Sequence, residues 1–223
     1  MYRAFAILDI ETATSDEATS LLEEPTAARN LVDPAKIAKD LTEKRQRQID
    51  QCSLDPYAGH IVCVGCLTEA RTWVRVCRDA REEAAALQAV AEQIRSLARH
   101  VIGFSLLRFD LPWIVTRSRL LGVSFPELDL RKYGNRDLTD LQALLTFDGN
   151  CPDGVFKRSL QNFARRFGIP VTDGSTGADV AQLVAENHWE AIAAHCQSDL
   201  ELTRMLAERL SLIPVPEDVD ALL

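Results

Sequence analysis

The stretch Phe5-Ala-Ile-Leu-Asp9-Ile-Glu11 decides how we interpret the fold, because two acids are set at the end of an apolar run. Residues 2–10 are few enough for a strand, and their apolar character predicts burial on both faces of a covered sheet. On a strand, side chains two positions apart point to the same face, about 6.5–7 Å apart along it. The plainer alternative is that the strand ends here and both acids face water.

A pair of carboxylates at the end of a central strand predicts a particular chemistry. Open α/β sheets bind ligands at the carboxyl ends of their strands. Burying unpaired carboxylates is costly, and hard cations such as Mg²⁺ and Mn²⁺ remove that cost by binding carboxylate oxygens. Asp9 and Glu11 are therefore candidate metal ligands.

Composition and charge exclude several classes of protein. The chain has 223 residues, of which 47% are hydrophobic and 26% are charged, as in ordinary soluble globular proteins. We find no apolar run of about 18 residues and no signal-peptide cleavage site, so we expect a cytoplasmic protein without a membrane partner. The formal net charge of −8 argues against a non-specific coat on duplex DNA, which requires a large basic surface.

The six cysteines are interpreted as reduced core thiols. Cys63 and Cys66 have the spacing of a zinc or redox pair, but they lie in a predicted strand, where positions three apart face opposite sides. A second cysteine pair is also missing from the sequence. The zinc or redox centre is therefore the less favoured alternative.

The remaining pattern predicts one α/β domain over residues 1–223. An antiparallel hairpin precedes strand–helix units, and helices follow to the end of the chain. Glu82 and Glu83 fall in the first turn of the first long helix after the hairpin, where the helix dipole favours acids. The predicted elements are strands at 60–68, 71–77 and 101–105, helices at 80–99 and from about 111 to Gly122, and helical segments from about 136 onward.

One segment, residues 12–59, is too long for a simple connection between two strands. Its first half is acidic. Its second half, after Pro34, predicts a largely polar helix that carries Lys36, Lys39, Lys44, Arg45 and Arg47. We interpret this helix as a solvated surface element. The alternative is a basic flap over a bound nucleic-acid strand.

Three further polar residues stand at positions that suit a site. Asp110 closes a strand-to-helix junction before Leu-Pro, where the plainer interpretation is a helix N-cap. His195 and Asp199 lie four residues apart on a predicted helix and therefore share a face. Taken alone, they are most simply an exposed pair on an amphipathic helix.

Together these motifs resemble the DEDD superfamily of 3′–5′ exonucleases. The order is Asp-x-Glu on the first strand, Phe-Asp at the middle junction, and His/Tyr-x-x-x-Asp on a late helix. The nearest resemblance is to the exonuclease domains of family-B DNA polymerases and their free-standing bacterial and phage relatives. It covers about residues 2–211 apart from the 12–55 insertion. Supporting matches are Asp55 to Gly65, Asp140-Leu141, Ser159-Leu160 with Arg165 to Pro170, and Asp179-Val180.

The resemblance implies a ribonuclease H-like α/β fold, with a mixed five-stranded sheet of an antiparallel hairpin plus parallel strands, flanked by helices. It also implies that four carboxylates hold two Mg²⁺ or Mn²⁺ ions about 3.5–4 Å apart, on either side of the scissile phosphate. These carboxylates are Asp9, Glu11, Asp110 and Asp199. His195 is implied to orient or deprotonate the attacking water.

The implied substrate is the 3′ end of single-stranded nucleic acid, DNA in preference to RNA, from which nucleoside 5′-monophosphates are released. The alternative is a catalytically weak or inactive relative that binds nucleic acid or a protein partner. Two departures from the family pattern favour that alternative. His195 stands at the spacing where relatives have Tyr, and imidazole reaches less far. Ser105 stands where relatives have Asn.

Contacts with the substrate are predicted at Thr12, Ser105 and Phe109. Thr12 would offer its backbone N–H, as in relatives. Phe104, Phe109 and Trp113 flank Asp110 and are interpreted first as core residues, with base stacking as the alternative. A basic cluster in the late helical region is interpreted as a solvated helix face, with phosphate contacts as the alternative. Its members are Lys157, Arg158, Arg165 and Arg166.

Overall fold

The computed structural model describes residues 4–96, 100–130, 137–151, 154–172 and 177–215. The strands are β1 (Phe5–Thr14), β2 (Gly59–Thr68), β3 (Thr72–Val76), β4 (His100–Gly103) and β5 (Leu138–Asp140). The first helices are α1 (Asp16–Thr19), α2 (Pro34–Cys52), α3 (Ala80–Ser96) and α4 (Asp110–Leu120). The later ones are α5 (Leu141–Leu145), α6 (Leu160–Arg166), α7 (Val180–Ala185) and α8 (Trp189–Arg209), with a 3₁₀ turn at Gly177–Asp179. None of the described helices is both long and apolar enough to cross a membrane.

The strands form one mixed sheet in the order β3-β2-β1-β4-β5. β1 pairs antiparallel with β2 and parallel with β4, and β5 adds a further parallel pair. The predicted mixed five-stranded sheet with an antiparallel hairpin is thus confirmed. β1 runs on to Thr14, past the predicted end at residue 10, because β2 is long enough to pair with the whole of it. The region after 136 opens with β5 before its helices begin.

Helices cover both faces of the sheet, and alternation along β1 distributes side chains between them. Leu8 and Ile10 join a buried cluster with residues of α3 and α4. Ile7 belongs to the cluster on the other face, with Leu200 and Leu206 of α8. The central strand is therefore buried on both sides, as its apolar run predicts.

The cysteines follow the same division. All six are free, and all except Cys151 are buried. Cys66 lies in the cluster on the α3–α4 face, whereas Cys63 packs with Cys196 of α8 on the opposite face. Cys63 and Cys66 therefore cannot share a metal ion or a disulfide, and both act as core thiols.

A buried ion pair fixes α3 against α4. Arg117 donates from Nε to Glu83 Oε1 at 2.7 Å and from Nη2 to Glu83 Oε2 at 2.8 Å. Glu83 Oε1 also accepts the backbone N–H of Ile61 in β2 at 3.1 Å. The pair thereby connects two helices and a strand, and α4 begins at Asp110.

The long insertion contains α2, which begins with Pro34 after an Asp33 side-chain cap. Its basic residues are largely used within the insertion itself. Lys44 donates to the carbonyl oxygen of Thr26 and pairs with Asp40, and Arg45 donates to the carbonyl oxygens of Thr19 and Leu22. These cations hold the preceding acidic segment in place. This use of the basic residues supports the interpretation of α2 as a surface element rather than as a basic flap.

Candidate active site

The two acids of β1 face α8. Ile7 packs against α8, and strand alternation puts Asp9 and Glu11 on the same side. Gly65 of β2 pairs with Asp9, and a Cβ at Gly65 would lie 2.6 Å from the sulfur of Cys196. The missing side chain therefore lets α8 approach the sheet next to the acids. This approach brings His195 and Asp199 of α8 to the site.

His195 is buried and contacts the second acid directly. Its Nε2 lies 3.4 Å from Glu11 Oε1, and both side chains are almost fully shielded from solvent. The shorter reach of imidazole at the tyrosine spacing therefore still brings the ring to the carboxylates. The contact with Glu11 itself was not predicted from the sequence.

Asp110 is the first residue of α4, and the preceding Phe109 provides no side-chain cap. The Asp110 carboxylate accepts the backbone N–H of Ile10 through Oδ1 at 3.2 Å. The N-cap interpretation of Asp110 is therefore wrong, because the carboxylate is turned toward β1. The hydrogen bond ties Asp110 to the strand between Asp9 and Glu11.

The four carboxyl groups influence one another's protonation. Burial raises the pKa of Asp9 well above its usual value, and the charges of Glu11, Asp110 and Asp199 raise it further. Burial also raises the pKa of Glu11 to about 8, against an opposing effect of His195. The pKa of Asp110 rises to about 7, mainly through burial, while its backbone hydrogen bonds oppose the shift. Without a cation, these buried acids therefore bind protons more tightly than exposed carboxyl groups do.

The residue types present fit a divalent cation. Asp9 Oδ2 is buried and has no hydrogen-bond partner, which leaves a carboxylate oxygen available to a hard cation. Within the part of the chain that the structure describes, no three His, Cys, Asp or Glu side chains are already arranged as a metal-ligand set. The carboxylates thus offer the right chemistry without a preformed coordination shell.

These residues open into a cavity of about 750 Å³, which we call the acid pocket. Among the predicted site residues, its lining includes Asp9, Glu11, Ser105, Phe109, His195 and Asp199. Asp110 lies behind the lining, against the backbone of Ile10. Trp113 is fully buried and belongs to the core, as expected, whereas Phe104 lines the pocket.

Thr12 is, with Asp110, a predicted site residue that lies outside the pocket lining. Its hydroxyl donates to the carbonyl oxygen of Ser53 at 2.6 Å, just after the pairing of β1 and β2 shifts register. The side chain therefore anchors the end of α2 to β1. No described residue of the 12–59 segment lines the acid pocket.

Gln142 is a pocket residue that the sequence analysis missed. It accepts a hydrogen bond from the Ser105 hydroxyl at 2.9 Å and donates to the backbone carbonyl of Arg158 at 2.9 Å. Ser105 itself has φ of 60°, a left-handed conformation that Asn adopts more readily than Ser. Only its position next to the Asp140-Leu141 match could have indicated Gln142.

The basic cluster also has a more specific location than a solvated helix face. Lys157, Arg158 and Arg165 line the acid pocket, while Arg166 points away from it into a separate groove. Positively charged side chains therefore line the same pocket as the carboxylates. This arrangement suits a substrate that carries phosphate groups.

Comparison with known proteins agrees with this architecture. A family model described as RNase_H superfamily matches residues 49–211. The family B DNA polymerase from the hyperthermophilic archaeon Pyrobaculum calidifontis superposes with a TM-score of 0.61 at 16% identity, over 95% of this chain and 25% of that one. A product-bound exonuclease I gives 0.48 at 12% identity, over 95% of this chain and 44% of that one.

This chain therefore spans only part of the length of either structure, and the likeness to the polymerase concerns the fold alone. A search of curated proteins finds no match. The family match covers well over half of the chain and agrees with the observed sheet order. The protein belongs to the RNase H superfamily.

Proposed function

We propose that the protein is a metal-dependent 3′–5′ exonuclease acting on single-stranded nucleic acid, DNA in preference to RNA. It releases nucleoside 5′-monophosphates from the 3′ end. The observation that carries the proposal is the convergence of carboxylates from β1 and α8 in one pocket, whose lining also contains basic residues, with the α4 carboxylate bonded to β1 behind it. Carboxylates alone would repel a phosphodiester, so the arrangement suits a phosphate only when cations are bound.

The metal ligands in this proposal are Asp9, Glu11, Asp110 and Asp199. Two Mg²⁺ or Mn²⁺ ions, when bound, supply a lowered pKa for the attacking water and neutralise charge on the departing 3′ oxygen. The raised carboxyl pKa values support this assignment, because a cation favours the charged form that burial disfavours. The Ile10 N–H holds the Asp110 carboxylate against β1, the strand that carries Asp9 and Glu11.

His195 is assigned two tasks. As a pocket-lining imidazole, it orients the attacking water and accepts its proton. Its contact with Glu11 at 3.4 Å adds a positioning role, because it restricts where that carboxylate can lie. The two tasks are separable, since Gln at position 195 can hydrogen-bond to Glu11 and cannot take up a proton at neutral pH.

Three residues are assigned to the terminal nucleotide. Ser105 and Phe109 line the acid pocket and supply a hydroxyl and a ring face. Thr12 is assigned a contact through its backbone N–H only, since its hydroxyl is engaged with Ser53. Gln142 joins them as a positioning residue, because it holds both Ser105 and the backbone at Arg158.

A second candidate function is nucleic-acid binding without hydrolysis. Histidine at the tyrosine spacing favours it, and so does Ser105 in the place of Asn. The four acids oppose it, because a binding protein gains nothing from carboxylates that repel phosphate. We therefore assign catalysis.

The test is digestion of a 5′-labelled oligonucleotide with Mg²⁺, Mn²⁺ or chelator, using matched DNA and RNA strands. We expect stepwise shortening from the 3′ end, a mononucleotide 5′-phosphate product, faster digestion of DNA, and no reaction with chelator. Asp9→Asn should lose activity, whereas Glu69→Gln, at an exposed acid between β2 and β3, should retain it. Digestion by Asp9→Asn at the parent rate, or undiminished digestion in chelator, would contradict the proposal.

A further inference from the structure

A second cavity lies on the other side of α6 from the acid pocket. It measures about 540 Å³ and is lined by Leu145, Phe156, Phe163, Arg166 and Phe167. We call it the aromatic groove. Phe156 is 40% exposed and Phe167 is 36% exposed, so two aromatic rings offer surface to a ligand.

The aromatic groove is connected to the acid pocket by a series of aromatic rings in contact with one another. Phe104, which lines the acid pocket, lies 6.0 Å from Phe163 between ring centroids. Phe163 in turn lies 5.4 Å from Phe156 in an edge-to-face contact. A series of contacting aromatic rings therefore leads from the lining of the acid pocket, through Phe163 of α6, to the exposed groove.

The segment that carries Phe156, Phe163 and Phe167 has a positive net charge, whereas the net charge of the whole chain is negative. Residues 154–172 contain four basic side chains and no Asp or Glu, in a chain of net charge −8. Arg165 lines the acid pocket and Arg166 lines the aromatic groove, so α6 presents a guanidinium group on each side. Lys157 directly follows Phe156 and is exposed.

We propose that the aromatic groove binds the single-stranded polynucleotide on the 5′ side of the nucleotide in the acid pocket. Bases stack on Phe156 and Phe167, and Arg166 contacts the phosphates. Flat rings interspersed with cations suit this ligand, because every base has a stacking face and every linkage carries a charge. An apolar peptide would satisfy the rings and leave the cations unused. The inference rests on the proposed function for the direction of the strand.

The test measures binding in chelator, so that it does not depend on hydrolysis. Binding of 5′-labelled DNA and RNA strands of 12 nucleotides is followed by fluorescence anisotropy. We expect Phe167→Ala to weaken binding of both strands about 5- to 150-fold, the range found for loss of one stacked base. Phe167→Trp should retain affinity. Tyr57→Ala, at an exposed ring on the 12–59 segment, is the control and should bind like the parent.

Salt dependence tests the charge. Arg166→Gln should reduce the slope of log K against log salt by about 0.7, as for one lost phosphate contact on a single strand. Lys36→Gln, at an exposed lysine of α2, should leave the slope unchanged. If Phe167→Ala does not fold, as judged by its melting curve, Phe156→Leu removes the other flat ring and should give the same loss.

The outcomes separate this inference from the proposed function. Unchanged affinity in the aromatic-groove variants, or failure of the parent to bind either 12-residue strand, would overturn the inference. The groove would then belong to another occupant, such as an apolar protein segment. If the variants bind less tightly while the parent digests nothing with Mg²⁺ or Mn²⁺, the inference stands and the proposed hydrolysis fails.

Discussion

Replacing Arg117 by Met tests the buried ion pair that holds α4, and with it Asp110, against the rest of the fold. The Glu83 side chain is 1% exposed and that of Arg117 is 13% exposed. Methionine nearly matches the length of the arginine stem but removes both donors to the carboxylate. Glu83 would then be left charged and buried, with the Ile61 N–H as its remaining donor among those described above.

The structure sets the size of the effect. Removing one partner of a buried ion pair typically costs about 3–5 kcal/mol, because the other charge stays desolvated. For a domain of this length, about 2–4 °C of melting temperature is lost per kcal/mol, so we expect a decrease of about 6–20 °C. The matched control is Arg47→Met in α2, where an exposed pair with Glu43 at 3.8 Å should contribute less than about 1 kcal/mol.

The assay is thermal unfolding followed by circular dichroism, with urea titration as an independent measure. Adding Glu83→Gln to Arg117→Met should recover much of the lost stability, because Gln stays neutral and still accepts from Ile61. A melting temperature for Arg117→Met as high as that of Arg47→Met would refute the reasoning. So would a double variant that is no more stable than the single one.

Three further predictions concern the site and the core. Gly65→Ala should cost about 1–3 kcal/mol in urea titration and reduce the proposed nuclease activity, since its Cβ would press on Cys196 of α8. A Cβ at Gly154 meets nothing, so Gly154→Ala should be neutral. A thiol-reactive dye should label only Cys151 in the native protein, because the other five cysteines are buried, and it should label all six after denaturation. Because burial raises the pKa of Asp110 to about 7, its proton is bound more tightly in the folded state. Chelator-treated protein should therefore lose stability as pH rises from 5 to 8, and Asp110→Asn should avoid about 3 kcal/mol of that loss.

Local periodicity accounts for the part of the fold that the sequence predicts. The apolar run before Asp9, the hairpin after residue 59 and the helix beginning near residue 80 each depend on neighbours within a few positions. The mixed five-stranded sheet is implied only by the family resemblance, because β5 has three residues and shows no periodic pattern of its own. The shared face of His195 and Asp199 likewise follows from the helical repeat alone.

Contacts between distant segments account for what the sequence does not predict. Glu83 occupies a first helical turn, where the helix dipole is a sufficient reason for an acid, yet it is buried against Arg117, 34 residues further along the chain. Asp110 has the sequence context of an N-cap, yet it accepts from Ile10, 100 residues earlier. Lys44 and Arg45 of α2 bind backbone carbonyls, which carry no side-chain signature that a sequence could display.

The two faces of β1 make the site and the core depend on one register. Leu8 and Ile10 fill the face toward α3 and α4, and Asp9 and Glu11 occupy the face toward α8. A slip of one residue against β2 would put both carboxylates into the apolar layer and both apolar side chains into the acid pocket. The free energy that buries Leu8 and Ile10 therefore also holds the acids together against their mutual repulsion. It follows that a substitution of Ile10 that loosens the strand should weaken the site as well as the core cluster in which its side chain packs.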